Sequence, residues 1–254
     1  MNNNKFRVTN PNIINLKILK KILPYSFKRR IKENLGVPSL HWSLENLKKN
    51  GFNPDAIIDI GAYEGKWAIA AMEVFPSSQI LMIEAQKAKE PKLKIIADKF
   101  PNSHYLIALL SKQEGDNKLF LNCETGSHII DSANQGDLIS ELPTRTLDNC
   151  LTEKNFTFSN LLLKLDVQGH EMEVLKGGKN AMLSCEVCLL EISFLNLGDN
   201  GPLLAQMVSF MDNNYFQPYD ISEMMRRPYD KALYQLDMIF VKKDSKLIES
   251  RRWN

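Results

Sequence analysis

The chain has 254 residues, 44% of them hydrophobic and 24% charged, with a formal net charge of +2. That composition fits one large globular α/β domain, with or without an extension, and carries no sign of repeats or low complexity. So small a charge gives no global electrostatic footprint for nucleic acid, and no apolar run reaches bilayer-spanning length.

The first residues, Met1 to Thr9, are polar and lack a signal-peptide core, so export is not expected. Between Ile13 and Ile31, the apolar Ile14, Ile18, Ile22 and Leu23 alternate with Lys17, Lys20, Lys21, Lys28, Arg29 and Arg30. Pro24 divides the stretch into two short helices. Residues 1–38 therefore read as a basic amphipathic extension. It either packs on the domain with a solvated basic face or makes a peripheral contact with an anionic membrane surface or lipid-linked substrate. The expected location is the cytoplasm, at the inner membrane surface under the second reading.

The domain proper, residues 39–254, opens with a helix from an N-cap at Ser39 through Lys49, with Gly51 at its C′ position. Ala56 to Ile60 is an apolar, β-branched run of the kind that forms a buried parallel strand. A turn with Gly61 and Gly65 follows, then an amphipathic helix from Lys66 to Phe75. Gln79–Glu84 reads as a second strand, Lys87–Phe100 as a helix with Pro91 in its first turn, and His104–Leu109 as a third strand. Lys118–Asn122 suggests a short extra strand, residues 126–136 a loop, and a short helix starts near Leu147.

Leu161–Val167 is the next strong strand, turned by Gln168-Gly169 into a helix from Glu171. A strand at Val187–Ile192, a helix at Leu203–Asn213, and strands at Tyr215–Tyr219 and Gln235–Lys242 complete the chain. Strands alternating with helices predict a doubly wound, mostly parallel sheet with helices on both faces, and the two late strands predict an antiparallel edge. Of the four cysteines, Cys185 and Cys188 form a C-x-x-C on a strand. There they should point to opposite faces and share neither metal nor disulfide.

The turn after the first strand lacks the first glycine of a dinucleotide fingerprint. It carries Asp59-x-Gly61-Ala62-Tyr63-Glu64-Gly65 instead. An acid at the end of that strand suits a cationic ligand such as S-adenosylmethionine, whose amino-acid tail has an ammonium beside a sulfonium. Glu84, closing the second strand with Ala85 after it, lies where a carboxylate can accept both ribose hydroxyls. Ala108 and Leu109, at the end of the third strand, can flank a base.

At the other end, Leu163-Lys164-Leu165-Asp166-Val167-Gln168-Gly169-His170-Glu171 sets two charges in an apolar strand, which is costly unless they are paired. Lys164 and Asp166 are two residues apart and share a face, and Glu191 closes the neighbouring strand. Asp166 is the first candidate base, with His170 second. Lys164 is either a depressed-pKa base or a partner holding Asp166 or Glu191. A divalent metal on Asp166, Gln168 and Glu191 is a less favoured alternative. Glu171 and Glu173 read as a solvated first helical turn. Ser127 and His128 are weak candidates for ligand contact, and Tyr219, Tyr229 and Tyr234 with Arg226-Arg227 could grip an acidic sugar.

These motifs resemble those of the FkbM-type methyltransferases: a D-x-G-A-x-x-G turn, here Asp59 to Gly65, and a K-[IL]-D-[VI]-[EQ]-G-x-E block, here Lys164 to Glu171. Arg145-Thr-Leu-Asp148 and Gln235-Leu-Asp237-Met-Ile-Phe-Val241 follow the same pattern, and the resemblance spans about residues 40–242. Gln168 stands where glutamate is commoner, and Ala85 where proline often follows the second-strand glutamate. The resemblance implies a class I Rossmann-like fold and S-adenosylmethionine-dependent O-methylation, often of sugars, polysaccharides or secondary metabolites. The expected acceptor is a glycan or small-molecule hydroxyl. The alternatives are a partner-binding module of the same fold and an RNA methyltransferase, the latter disfavoured by the near-neutral charge.

Overall fold

The computed structural model describes residues 37–123, 126–132, 137–197 and 201–253. The basic segment expected at residues 13–31 lies outside the described residues. The alternation expected from sequence gives β1 (Ala56–Ile60), α2 (Lys66–Val74), β2 (Gln79–Glu84), α3 (Glu90–Lys99) and β3 (Ser103–Ile107), preceded by α1 (Leu40–Lys49). Farther along come α4 (Leu147–Glu153), β8 (Leu161–Leu165), α5 (Glu171–Lys176), α6 (Lys179–Ser184), β9 (Cys185–Ser193), α7 (Leu204–Asn213), β10 (Phe216–Arg226) and β11 (Leu233–Lys242).

The main sheet has seven strands in the order β10-β11-β9-β8-β1-β2-β3. From β3 to β9 they run parallel, and β11 and β10 are antiparallel, as the late strands predicted. Strand order reverses beside β1, which opens a crevice at the carboxyl ends of β1 and β8. This is the class I Rossmann-like methyltransferase architecture.

β1 and β8 are buried on both faces, so nearly every side chain in them is apolar. Ile58, Leu163 and Leu190 pack on one face against α4, α5, α6 and α7. Ile57, Leu162 and Leu189 pack on the other against α1, α2 and α3. α1 is held there by Leu44 and Leu47, which are fully buried at the i, i+3 spacing. Ser39 makes no side-chain capping bond, but Gly51 does end the helix in a left-handed conformation.

Three local expectations need correction. The strand predicted through Leu109 leaves the main sheet after Ile107. β4 (Leu109–Leu110) instead joins β5 (Asn117–Leu121), β6 (His128–Ile130) and β7 (Ile139–Arg145) in a second sheet ordered β4-β7-β5-β6. Residues expected as a loop thus contain β6. β7, which contains Pro143, gave no alternating signal, because its residues are half-buried rather than core.

The expectation that Cys185 and Cys188 point to opposite faces also fails. Leu161 and Leu162 pair with Cys185 and Val187, so Glu186 is a bulged residue. The bulge turns Cys185 onto the same face as Cys188, both as free thiols in one apolar cluster.

Candidate active site

A cavity sits at the carboxyl edge of β1, β2 and β8, roofed by the second sheet. Its near wall is the turn after β1. Gly61 has φ +73, and a Cβ there would lie 1.8 Å from the Asp166 carbonyl oxygen, so only glycine lets the β1 turn pass the end of β8. At Gly65, with φ +74, a Cβ would meet the Ile96 side chain at 2.3 Å. The second glycine therefore serves the packing of α2 on α3 rather than ligand approach.

Glu84 closes β2 with its carboxylate almost buried. One oxygen accepts from the Tyr63 N–H at 2.7 Å and the other from the Gln86 N–H at 2.8 Å, so the carboxylate is aimed into the cavity by two elements at once. Burial raises its pKa against those two donors. Ala85, Ala108, Leu109 and Leu110 make the apolar wall beside it.

Asp59 corrects the sequence reading. Its side chain is fully buried, does not line the cavity and pairs with Lys164 Nζ at 2.9 Å. Parallel pairing sets Asp59 opposite Lys164, which also donates to the Gly61 carbonyl at 3.0 Å. Lys164 was expected to hold Asp166 or Glu191 or to act as a low-pKa base. Asp166 is farther away, at 3.8 Å. Burial pulls the lysine down, but the charges of Asp59 and Asp166 outweigh it and raise its pKa, which favours the charged partner of Asp59 over the low-pKa base. Ala62, Glu64 and Gly65 do not line the cavity either; Glu64 pairs with Lys66 at 3.3 Å.

Asp166 is partly exposed and lines the cavity. Gln168, held in a left-handed conformation at φ +53, donates its amide to Asp166 Oδ1 and Glu191 Oε2, both at 2.9 Å. The amide thus ties the two carboxylates together as a hydrogen-bond donor. Burial, with the charges of Asp166, Glu171 and Asp237, pushes the Glu191 carboxyl up to about 9. Asp237, its register partner on β11, is pushed by burial up to about 7.

Glu171 is a second correction. It is buried, and its carboxylate accepts from the Val167 and Gly169 N–H groups, stapling the turn that presents Gln168 and His170. Burial raises it to about 7. Glu173 is the solvated one, paired with Lys112 and Lys176. His170 lines the cavity, with Nε2 3.0 Å from the buried Ser111 Oγ.

Ser111, Gln86 and Phe120 belong to the site's surroundings and were not singled out in the sequence; they lie in connections and on the second sheet, where no periodicity marks them. Ser127 lines the cavity and His128 the neighbouring cleft. Tyr219, Tyr229, Tyr234, Arg226 and Arg227 line neither. Arg227 is paired with Asp230. Asp148 accepts from the Asn180 and Ala181 N–H groups and so caps α6, while Arg145 bridges Glu114 and Glu153.

The family model of the methyltransferase FkbM domain matches residues 59–218. Among solved structures, an FkbM methyltransferase from Methylobacillus flagellatus KT is similar at 12% identity and a TM-score of 0.44, covering 72% of this chain and 43% of that one. The N-terminal domain of EvdMO1, solved with S-adenosylhomocysteine and D-fucose, is similar at 10% identity and a TM-score of 0.46, covering 81% of this chain and 83% of that one. Magnesium protoporphyrin IX methyltransferase from Synechocystis PCC 6803, with bound S-adenosylmethionine, is similar at 10% identity and a TM-score of 0.44, covering 80% and 79%. None of the curated proteins compared matches the chain. On the matched span from Asp59 through β8 and β9 into β10, the chain belongs to the FkbM methyltransferase family.

Proposed function

We propose that the chain transfers a methyl group from S-adenosylmethionine to a hydroxyl of a glycan or glycosylated metabolite. The observation that carries this is the charge of the cavity. Glu84 and Asp166 line it, and no lysine or arginine does among the described residues. A dinucleotide would bring two phosphates to these carboxylates with no compensating cation. A sulfonium nucleoside with an ammonium tail brings the complementary charge.

When bound, the donor supplies a methyl group already activated on sulfur. The chain's own residues then have three tasks. Glu84, fixed by two backbone N–H groups, accepts from ribose hydroxyls. Asp166, held on its Oδ1 side by Gln168 and facing Lys164 on the other, supplies negative charge at the β8 end of the cavity. The apolar wall of Ala85, Ala108 and Leu109 packs the base and excludes water. Because Lys164 sits closer to Asp59 than to Asp166, and Asp59 does not line the cavity, the carboxylates that face a ligand are Glu84 and Asp166.

The test is incubation of the protein with methyl-labelled donor and fractionated cell extract. Label recovered as an alkali-stable methyl ether in a hydroxyl-bearing pool supports the reading. Label that appears only in RNA, or in no fraction at all, contradicts it.

A further inference from the structure

Among the described residues, the cavity that holds Glu84 and Asp166 has a neighbour across Gln168. On the far side of the Gln168–His170 turn a wider cleft opens between β6, α5 and the start of α7, with Met172 and Leu203 on its walls. Only Ile129, Gln168 and His170 line both spaces. Asp166 belongs to the donor cavity alone, and Glu191 lines neither.

The titratable side chains of the cleft are Lys118, His128, Asp131, Asp137, Glu173 and His170, and those of the donor cavity are Tyr63, Glu84, Asp166 and His170. His170 is thus the one titratable group common to both among the described residues. It is also oriented. Its Nε2 lies 3.0 Å from Ser111 Oγ on the chain just after β4. In the tautomer whose Nε2 proton is donated to that hydroxyl, rather than the one that accepts from it, the ring's lone pair is on Nδ1. Burial favours the neutral ring. Glu173 on its own helix opposes this, and Lys118 from β5, Lys112 from the loop after β4 and Lys176 from the end of α5 reinforce it.

On the methyl-transfer reading above, we propose that this cleft takes the hydroxyl-bearing acceptor and that His170 Nδ1 is the general base. The acceptor oxygen bonds to the methyl carbon, and the carbon–sulfur bond breaks with its electron pair going to sulfur. The hydroxyl proton goes to Nδ1, and the imidazolium returns it to water. No further reactant is needed. A general base in this position is worth about 10²–10⁴ in rate.

The chain has four histidines, so nitrogen-15 NMR of histidine-labelled full-length protein with saturating S-adenosylhomocysteine can read the ring directly, with His170→Gln assigning its signals by their loss. The expected result at pH 7.5 is an unprotonated Nδ1 and a protonated Nε2, with Ser111→Ala mixing the two tautomers. A proton on Nδ1, or an imidazolium, overturns the assignment, and this holds whether or not a labelled acceptor pool is found. In the methyl-transfer assay His170→Gln should lose at least 100-fold while S-adenosylhomocysteine affinity stays within about threefold. A variant that keeps more than a tenth of the activity also overturns it. Failure of the underlying reading looks different: there the unaltered protein does not bind S-adenosylhomocysteine.

Discussion

On the proposed donor reading Glu84 carries the most specific recognition in the site, because its two oxygens are each fixed by a backbone donor. Replacing it with alanine should weaken S-adenosylhomocysteine binding by about 1.5–3 kcal/mol, on the order of tenfold to a hundredfold. Unchanged affinity in titration calorimetry would remove Glu84 from the donor site. Lys164→Met has a different signature. Taking one partner from a buried pair costs about 3–5 kcal/mol, so the melting temperature should fall by on the order of 10 °C. A variant that loses turnover with an unaltered melting temperature would restore Lys164 as a base. Glu84 was legible in the sequence because it ends a clean apolar strand. The Asp59–Lys164 pair was not. It depends on which strands are neighbours, and no spacing along the chain shows that residues 59 and 164 stand in register.

The carboxyls around β8, β9 and β11 make a pH prediction. Folding raises Glu191 to about 9 and Glu171 and Asp237 to about 7, above their unfolded values. A group raised by folding contributes stability that is complete below its unfolded pKa and is lost as pH rises through the folded one. The protein should therefore lose stability progressively from about pH 5 to about pH 9. Glu191→Gln, which keeps an acceptor oxygen for Gln168, should flatten the upper part of that decline. A melting-temperature profile with the same slope in both proteins between pH 7 and 9 would contradict the raised Glu191.

At the scale of elements, the turns matter more than the strands. The β1 turn is shaped by its approach to the Asp166 carbonyl, and the β8 turn by Glu171, which ties Val167 and Gly169 together from the first residue of α5. A helix-first reading places that glutamate in solvent, because charge in a first helical turn ordinarily stays there. Here the preceding turn supplies the buried donors. Asp148 is a capping residue for α6, so Asp148→Ala should cost about 0.5–2 kcal/mol of stability while leaving donor affinity unchanged. A loss of S-adenosylhomocysteine binding in calorimetry would instead tie the residue to the site. The core strands were legible from their apolar runs. β6 and β7 were not, since their half-buried faces in the second sheet leave no alternation to detect.

At the scale of the whole molecule, topology brings residues from 60 to 170 around one crevice, with the negative charge of Glu84 and Asp166 inside it. No arginine lines either the cavity or the adjoining cleft, and Lys118 is the lone lysine among the described lining residues. That arrangement offers little to a polyphosphate, so salt-sensitive binding to RNA is not expected. No described helix is long and apolar enough to cross a membrane. The donor reading is tested most directly by titration calorimetry of the full-length protein with S-adenosylhomocysteine and with NAD under identical conditions. Saturable binding of S-adenosylhomocysteine with no heat from NAD is the predicted result; binding of NAD alone would contradict it.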